Sequence, residues 1–147
     1  MLVAGLLAAV FWRNLPTPLP AASPAEDFSA ERAQTVIAEI ARAPHPVGSA
    51  ENQRVRTFLF EQLRSIGFAP VLQTGSANGI LLTNVFLRIE GSASTGTLVC
   101  LAHLDSVSQG PGASDDSIGV ACWLESFRAL KARGWQPRSS RLWASYQ

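Results

Sequence analysis

Residues 97–106 read TLVCLAHLDS, and residues 109–125 read QGPGASDDSIGVACWLE. The first stretch is a short continuous apolar run ending at His103, the pattern of a strand buried on both faces. The second opens with glycine and proline, where no regular element persists, and then becomes apolar at helical spacing through Val120, Trp123, Leu124, Phe127 and Leu130. A helix is expected from about Asp116 to Arg133, with Gly134 as its stop, and a further strand from Arg141 to Tyr146. Sheets of this α/β type place function where loops leave the carboxyl ends of strands and converge on a crevice. His103 stands at such an end.

Outward toward the amino terminus the period changes. Ser29 can cap a helix carrying Val36, Ile37 and Ile40, which must end before Pro44. Ser49 can cap a second, with Val55, Phe58, Leu59, Leu63 and Ile66 as its buried stripe and Gly67 as its left-handed stop. Ala69 to Thr74 and Ile80 to Ile89 then read as strands joined through Asn78-Gly79, a dipeptide suited to a tight turn with positive φ. A polar loop from Gly91 to Gly96 leads into the central strand. The expected architecture is a mixed sheet flanked by helices.

The bulk properties narrow the partners. With 147 residues, 47% hydrophobic and 16% charged, the chain can bury a core and is too apolar to be disordered. A net charge of +1 without a basic cluster argues against nucleic acid and against steering of an acidic substrate. Leu2 to Trp12 is an unbroken apolar run, shorter than the roughly 20 residues a spanning helix needs. No Lys or Arg precedes it, and prolines crowd the place where a signal peptide would be cut. Residues 1–13 are therefore expected to be the end of a membrane anchor, or a signal remnant, with a frayed apolar tail as the alternative. Residues 14–26, with prolines at 16, 18, 20 and 24, read as an extended, unpacked linker, and residues 27–147 as the globular part.

The central motif has its own chemistry. His103 offers a neutral imidazole nitrogen, the commonest protein ligand for zinc. Asp105 can accept a hydrogen bond from the other ring nitrogen and fix the tautomer. Asp115, just before a helix, can present two carboxylate oxygens to one or two metal ions, while Asp116 or Ser117 caps the helix. Taken singly, a His-x-Asp is commonly a histidine bonded to a nearby acid, and an Asp pair before a helix is commonly a cap. Joined through Gln109-Gly110-Pro111-Gly112-Ala113-Ser114, the two are far more specific.

In that order, apolar strand, His-x-Asp-Ser, Gly-Pro-Gly-Ala loop, Asp-Asp and Leu-Glu, the segment from Cys100 to Leu130 resembles the first half of a catalytic domain of metallopeptidase family twenty-eight, the di-zinc aminopeptidases. Ala43-Pro44-His45-Pro46-Val47-Gly48-Ser49, followed by a helix with Asn52 and Val55, resembles its membrane-anchored members. The resemblance covers residues 27–147. It implies the zinc-aminopeptidase (phosphorylase/hydrolase-like) fold, two zinc ions, and a peptide substrate losing its amino-terminal residue to a metal-activated water. It also implies a membrane-anchored protein with its catalytic domain outside the cytoplasm, in the periplasm or a lumen. His103 takes the place of a zinc ligand, Asp115 that of the carboxylate bridging both metals, and Asp105 that of the catalytic acid orienting the histidine. A cis bond between Asp115 and Asp116 is expected on the same ground.

The family's next motif, a Glu-Glu pair supplying a general base and a ligand, is not found before Gln147, nor are its later acidic ligand and final histidine. The chain is expected to hold the amino-terminal half of the domain, incomplete at the carboxyl end, to need the missing half, and alone to bind zinc weakly and hydrolyse nothing measurable. An exposed sheet edge at Tyr146 should make it prone to self-association. Two alternatives stand beside this reading. Glutaminyl cyclases share the fold and the His-x-Asp-Ser motif with a single zinc, although their aspartate is usually followed by serine. A non-catalytic peptidase-like ectodomain is the other. Cys100 and Cys122 are read as small core thiols, a disulfide between them being open, and Trp123, Trp135 and Trp143 as core residues.

Overall fold

The structure, a computed structural model, describes Gly5, Phe11, Trp12, residues 15–93 and residues 96–146. Most of the apolar run at 2–12 lies outside the described residues. Two helices follow the proline-rich segment, α1 (Ala30–Ile40) and α2 (Ala50–Ser65). Ser29 Oγ accepts from the Arg32 N–H at 3.2 Å and Ser49 Oγ from the Asn52 N–H at 3.0 Å, so both expected caps are made. Gly67, at φ +91°, ends α2, with the Phe68 N–H returning to the Leu63 carbonyl at 3.1 Å.

The hairpin follows, β1 (Val71–Ala77) and β2 (Ile80–Ile89), turning through Asn78 and Gly79 at φ 51° and 77°. Next come β3 (Thr97–His103), a π-type turn (Ala113–Ser117), α3 (Ile118–Ala132) and β4 (Ser140–Tyr146). The sheet order is β1-β2-β4-β3, with β3 and β4 parallel and the other pairings antiparallel. The mixed sheet flanked by helices is thus observed.

One apolar cluster holds the layers together. Val85, Leu87, Cys100, Ala102 and Trp143 from the strands meet Ile40 of α1, Val55, Leu59 and Leu63 of α2, and Val120, Leu124 and Phe127 of α3. The Phe127 ring meets Trp143 edge-on at 6.0 Å and Phe68 at 5.9 Å, while Trp123 stacks on Phe127 at 5.9 Å. Each such side chain contributes on the order of 1.5–3 kcal/mol by leaving water.

Several expectations change. β3 is not buried on both faces: Cys100 and Ala102 point inward, but Leu98, Val99 and Leu101 are 52%, 52% and 59% exposed. A continuous apolar run predicts two covered faces, whereas β3 lies at the sheet edge with only one face against the cluster. The strand at Tyr146 is not an edge either, since β4 pairs with both β2 and β3 and the edges are β1 and β3. Trp135 is 38% exposed, and Cys122 is exposed rather than in the core; Cys100 and Cys122 are not joined by a disulfide.

The proline-rich segment, though largely exposed, is tied by hydrogen bonds from Leu19 onward. The Arg32 guanidinium donates to the carbonyls of Ala21, Ser23, Pro24 and Asp27, and Arg128 donates to those of Ala25 and Asp27. Both arginines converge on Glu125, which is 4% exposed and also accepts the Ser29 N–H at 2.8 Å. Proline has no N–H to offer, but its neighbours' carbonyls still need donors, and arginine's fork of five N–H groups serves several at once.

Candidate metal site

β3 delivers His103 to the carboxyl edge of the sheet, and the loop after it carries the chain back. Gly112 enters the π-type turn at φ +65°, where an added Cβ would come within 2.9 Å of the Asp115 carbonyl oxygen and of Ser106 Cβ. Only glycine fits that approach. The peptide between Asp115 and Asp116 is cis, as the motif predicts. The two aspartates then part: Asp116 Oδ1 accepts the Gly119 N–H at 3.1 Å and caps α3, while Asp115 faces outward with its side chain 90% exposed.

His103 and Asp115 meet. The imidazole Nε2 lies 2.8 Å from Asp115 Oδ1, and Nδ1 lies 3.0 Å from the backbone carbonyl oxygen of Asp105. The Asp105 carboxylate is farther away, its Oδ1 at 3.5 Å from Nδ1. The orienting hydrogen bond therefore comes from the main chain of Asp105, where sequence reasoning assigned it to the side chain. A carboxylate two residues on reaches back poorly, while the intervening peptide already turns its oxygen toward the ring. Burial depresses the pKa of His103, but the hydrogen bonds to Asp115 and to the Asp105 carbonyl outweigh it and hold the imidazole above its ordinary value.

Sequence reasoning did not find what supports this loop. His45, Asn52 and Ser106 are 1%, 1% and 6% exposed and hydrogen-bonded to one another. The His45 N–H donates to Ser106 Oγ at 2.8 Å, the Ser106 N–H donates to the His45 carbonyl at 3.3 Å, and Asn52 Nδ2 donates to that same carbonyl at 3.3 Å. The only local signal was that Ser106 and the segment at 43–49 both belong to family motifs. Nothing local indicated that they touch.

As donors the residues present suit zinc. An imidazole nitrogen and a carboxylate oxygen lie 2.8 Å apart where the carboxylate is open to solvent, and both are borderline-to-hard ligands that zinc accepts. They are two donors, and no cluster of three or more His, Cys, Asp or Glu occurs among the described residues.

The family model for Peptidase family M28 matches residues 84–143, a span that includes β3, His103, the cis bond and α3. Residues 84–143 belong to peptidase family M28. It is 31% identical over 111 residues to a vacuolar membrane protease of Laccaria bicolor, an alignment covering 65% of this chain and 11% of that protein. Among solved structures it superposes on the glutaminyl cyclase of Porphyromonas gingivalis with a TM-score of 0.71 and 25% identity, covering 81% of this chain and 45% of the other. A leucine aminopeptidase precursor from Bacteroides thetaiotaomicron gives 0.67 and 19%, covering 83% and 48%. The chain therefore shares the zinc-exopeptidase and glutaminyl-cyclase fold and spans less than half of the relatives it matches.

Proposed function

We propose that this chain carries the first two ligands, His103 and Asp115, of the zinc centre of an aminopeptidase that removes amino-terminal residues from peptides. The observation that carries the reading is the 2.8 Å approach of His103 Nε2 to Asp115 Oδ1 at the carboxyl end of β3. Membership of a peptidase family supports hydrolysis of peptides, and the Asp115-Asp116 pair favours the two-metal peptidases over the single-zinc cyclases.

Zinc, when bound, supplies Lewis acidity toward a scissile carbonyl and acidifies water toward neutral pH. The chain's own residues prepare that chemistry. The Asp105 carbonyl accepts only, so it holds a proton on Nδ1 and leaves Nε2, which faces Asp115, as the nitrogen a metal would take. Asp115 stays exposed, able to offer both oxygens, because Asp116 takes over the capping of α3. The Asp105 carboxylate, 3.5 Å from Nδ1, adds negative charge behind the ring and can stabilise a cation on its other side.

A catalytic zinc normally has three protein ligands. The 147-residue chain alone, with His103 and Asp115, is accordingly proposed to bind zinc weakly and to turn over no peptide. We place the protein at a membrane through its amino terminus, with the catalytic domain outside the cytoplasm. The name of the Laccaria bicolor relative supports a membrane setting, although no described helix is long and apolar enough to cross a membrane.

The test uses the full-length gene product, reconstituted with zinc. Release of amino acids from free-amino-terminal peptides, absent when the amine is acetylated and lost in His103→Ala and Asp115→Ala, is the expected result. Conversion of amino-terminal glutamine to pyroglutamate without peptide-bond cleavage would establish the cyclase reading instead. Zinc binding with neither activity would make the protein a non-catalytic ectodomain.

A further inference from the structure

The peptide unit joining Asp105 to Ser106 is gripped from both sides. Its carbonyl oxygen lies 3.0 Å from His103 Nδ1, and its N–H donates to the His45 carbonyl at 3.3 Å. The Ser106 hydroxyl adds a second tie to the same residue, accepting the His45 N–H at 2.8 Å and donating to the Val107 carbonyl at 3.0 Å. His45 is itself anchored, because its carbonyl also accepts Asn52 Nδ2 at 3.3 Å from the first turn of α2. The segment before α2 and the loop after β3 thus exchange two bonds across 61 residues of chain, in a place closed to water.

We propose that this clasp sets the tautomer and orientation of the His103 ring, and that Ser106 and Asn52 are positioning residues for metal capture. The proposal rests on the reading of His103 as a zinc ligand. A carbonyl oxygen accepts only, so His103 must carry its proton on Nδ1 wherever the Asp105 carbonyl is aimed at it. That aim is fixed by the orientation of one peptide plane, and the opposite edge of the plane is the Ser106 N–H bonded to His45. Rotating the plane would strip a buried N–H of its acceptor, which costs about 1–3 kcal/mol. The clasp therefore keeps a proton on Nδ1 and aims Nε2 at Asp115 Oδ1, 2.8 Å away, so that Nε2 is the nitrogen left for a cation to take.

The experiment uses the full metal-free chain labelled with nitrogen-15 histidine, at a pH where the imidazoles are neutral. The chain has two histidines, so His103→Ala assigns the ring spectrum directly. The parent is expected to show His103 as the Nδ1–H tautomer. Ser106→Ala and Asn52→Ala are expected to shift it toward a tautomer mixture and to weaken zinc binding about 10–100-fold, the range found when a metal ligand's hydrogen-bond partner is lost. Circular dichroism confirms that each variant is folded, and Asn52→Ala carries the test if Ser106→Ala does not fold.

A purely structural role would lower melting temperature while leaving the His103 ring signals and the zinc Kd of the folded protein unmoved; that result overturns the clasp. Zinc binding that survives His103→Ala unchanged overturns the ligand reading, and the metal-capture claim with it. Binding lost in His103→Ala but unchanged in both clasp variants overturns the clasp alone.

Discussion

His103 Nε2 lies 2.8 Å from Asp115 Oδ1, across a loop that separates the two residues by twelve positions. The histidine is fixed from behind by a backbone carbonyl, whereas the aspartate is 90% exposed and free to turn between the ring and a cation. On the proposed reading, a cation bound there would take the place of the proton between imidazole and carboxylate.

Zinc should consequently stabilise the chain. At a free concentration one hundred times Kd the gain is about 2.7 kcal/mol, read as a rise in melting temperature that a chelator reverses. His103→Ala and Asp115→Ala should each remove it, and a full zinc-dependent shift in both variants would exclude the site.

Zinc binding should weaken as pH falls, and from a higher starting pH than for an ordinary histidine. The metal needs the neutral ring, and the pKa of His103 is raised because the bonds to Asp115 and to the Asp105 carbonyl outweigh the effect of burial. Zinc titrations at several values between about pH 5 and pH 8 measure this. An affinity independent of pH across that range would contradict it.

Glu125 should make the fold acid-sensitive. Its burial raises the carboxyl pKa, but the bonds from Arg128, the Ser29 N–H and Arg32 win and hold it below the ordinary value. A carboxyl with a depressed folded pKa adds stability that is present above its unfolded pKa and is lost as pH falls through the folded one. Thermal melts from neutral to acid pH should show that loss, with a shallower slope in Glu125→Gln. That variant should also be less stable at neutral pH by about 3 kcal/mol, since two guanidinium groups lose their shared anion.

Gly91→Ala should destabilise the chain by at least about 2 kcal/mol, although an exposed loop usually tolerates alanine. The added Cβ would fall 2.4 Å from the Ser139 carbonyl carbon and 2.5 Å from the Arg138 oxygen, both main-chain atoms. Urea denaturation measures the loss. An unchanged midpoint would mean that the two chain segments do not run this close.

The thiols should react at different rates. Cys122 is exposed but slow at neutral pH, because partial burial and the nearby Asp116 carboxylate push its pKa up, so labelling by a maleimide should quicken as pH rises. Cys100, buried in β3, should label only on unfolding. Equal rates for both in the native chain would refute this placement.

Much of this arrangement was legible before any coordinates. The caps at Ser29 and Ser49, the stop at Gly67 and the Asn78-Gly79 turn were readable because each is a hydrogen bond or a φ value decided within a few residues. The motif at 103–116 also announced the cis peptide and the meeting of His103 with Asp115. Reading β3 as doubly covered failed because apolar composition records what a strand tolerates, not what lies on each side. The Glu125 cluster and the His45–Ser106 clasp were invisible because no periodicity marks a polar residue whose partners come from distant segments.

By itself, then, the sequence determined the order and type of the elements, the helix caps and the tight turn, and the motif that carries the family resemblance, since short-range sterics and local hydrogen bonds act over one or two turns. Only the tertiary structure decided that β4 sits between β2 and β3, that the proline-rich segment is tied down by Arg32 and Arg128, and that a main-chain carbonyl rather than a carboxylate orients His103. The bond from Arg128 to the Ala25 carbonyl spans 103 residues and the one from His45 to Ser106 spans 61. Partners so far apart are chosen by which surfaces the core brings together, because burial leaves each polar group with only the neighbours that packing supplies.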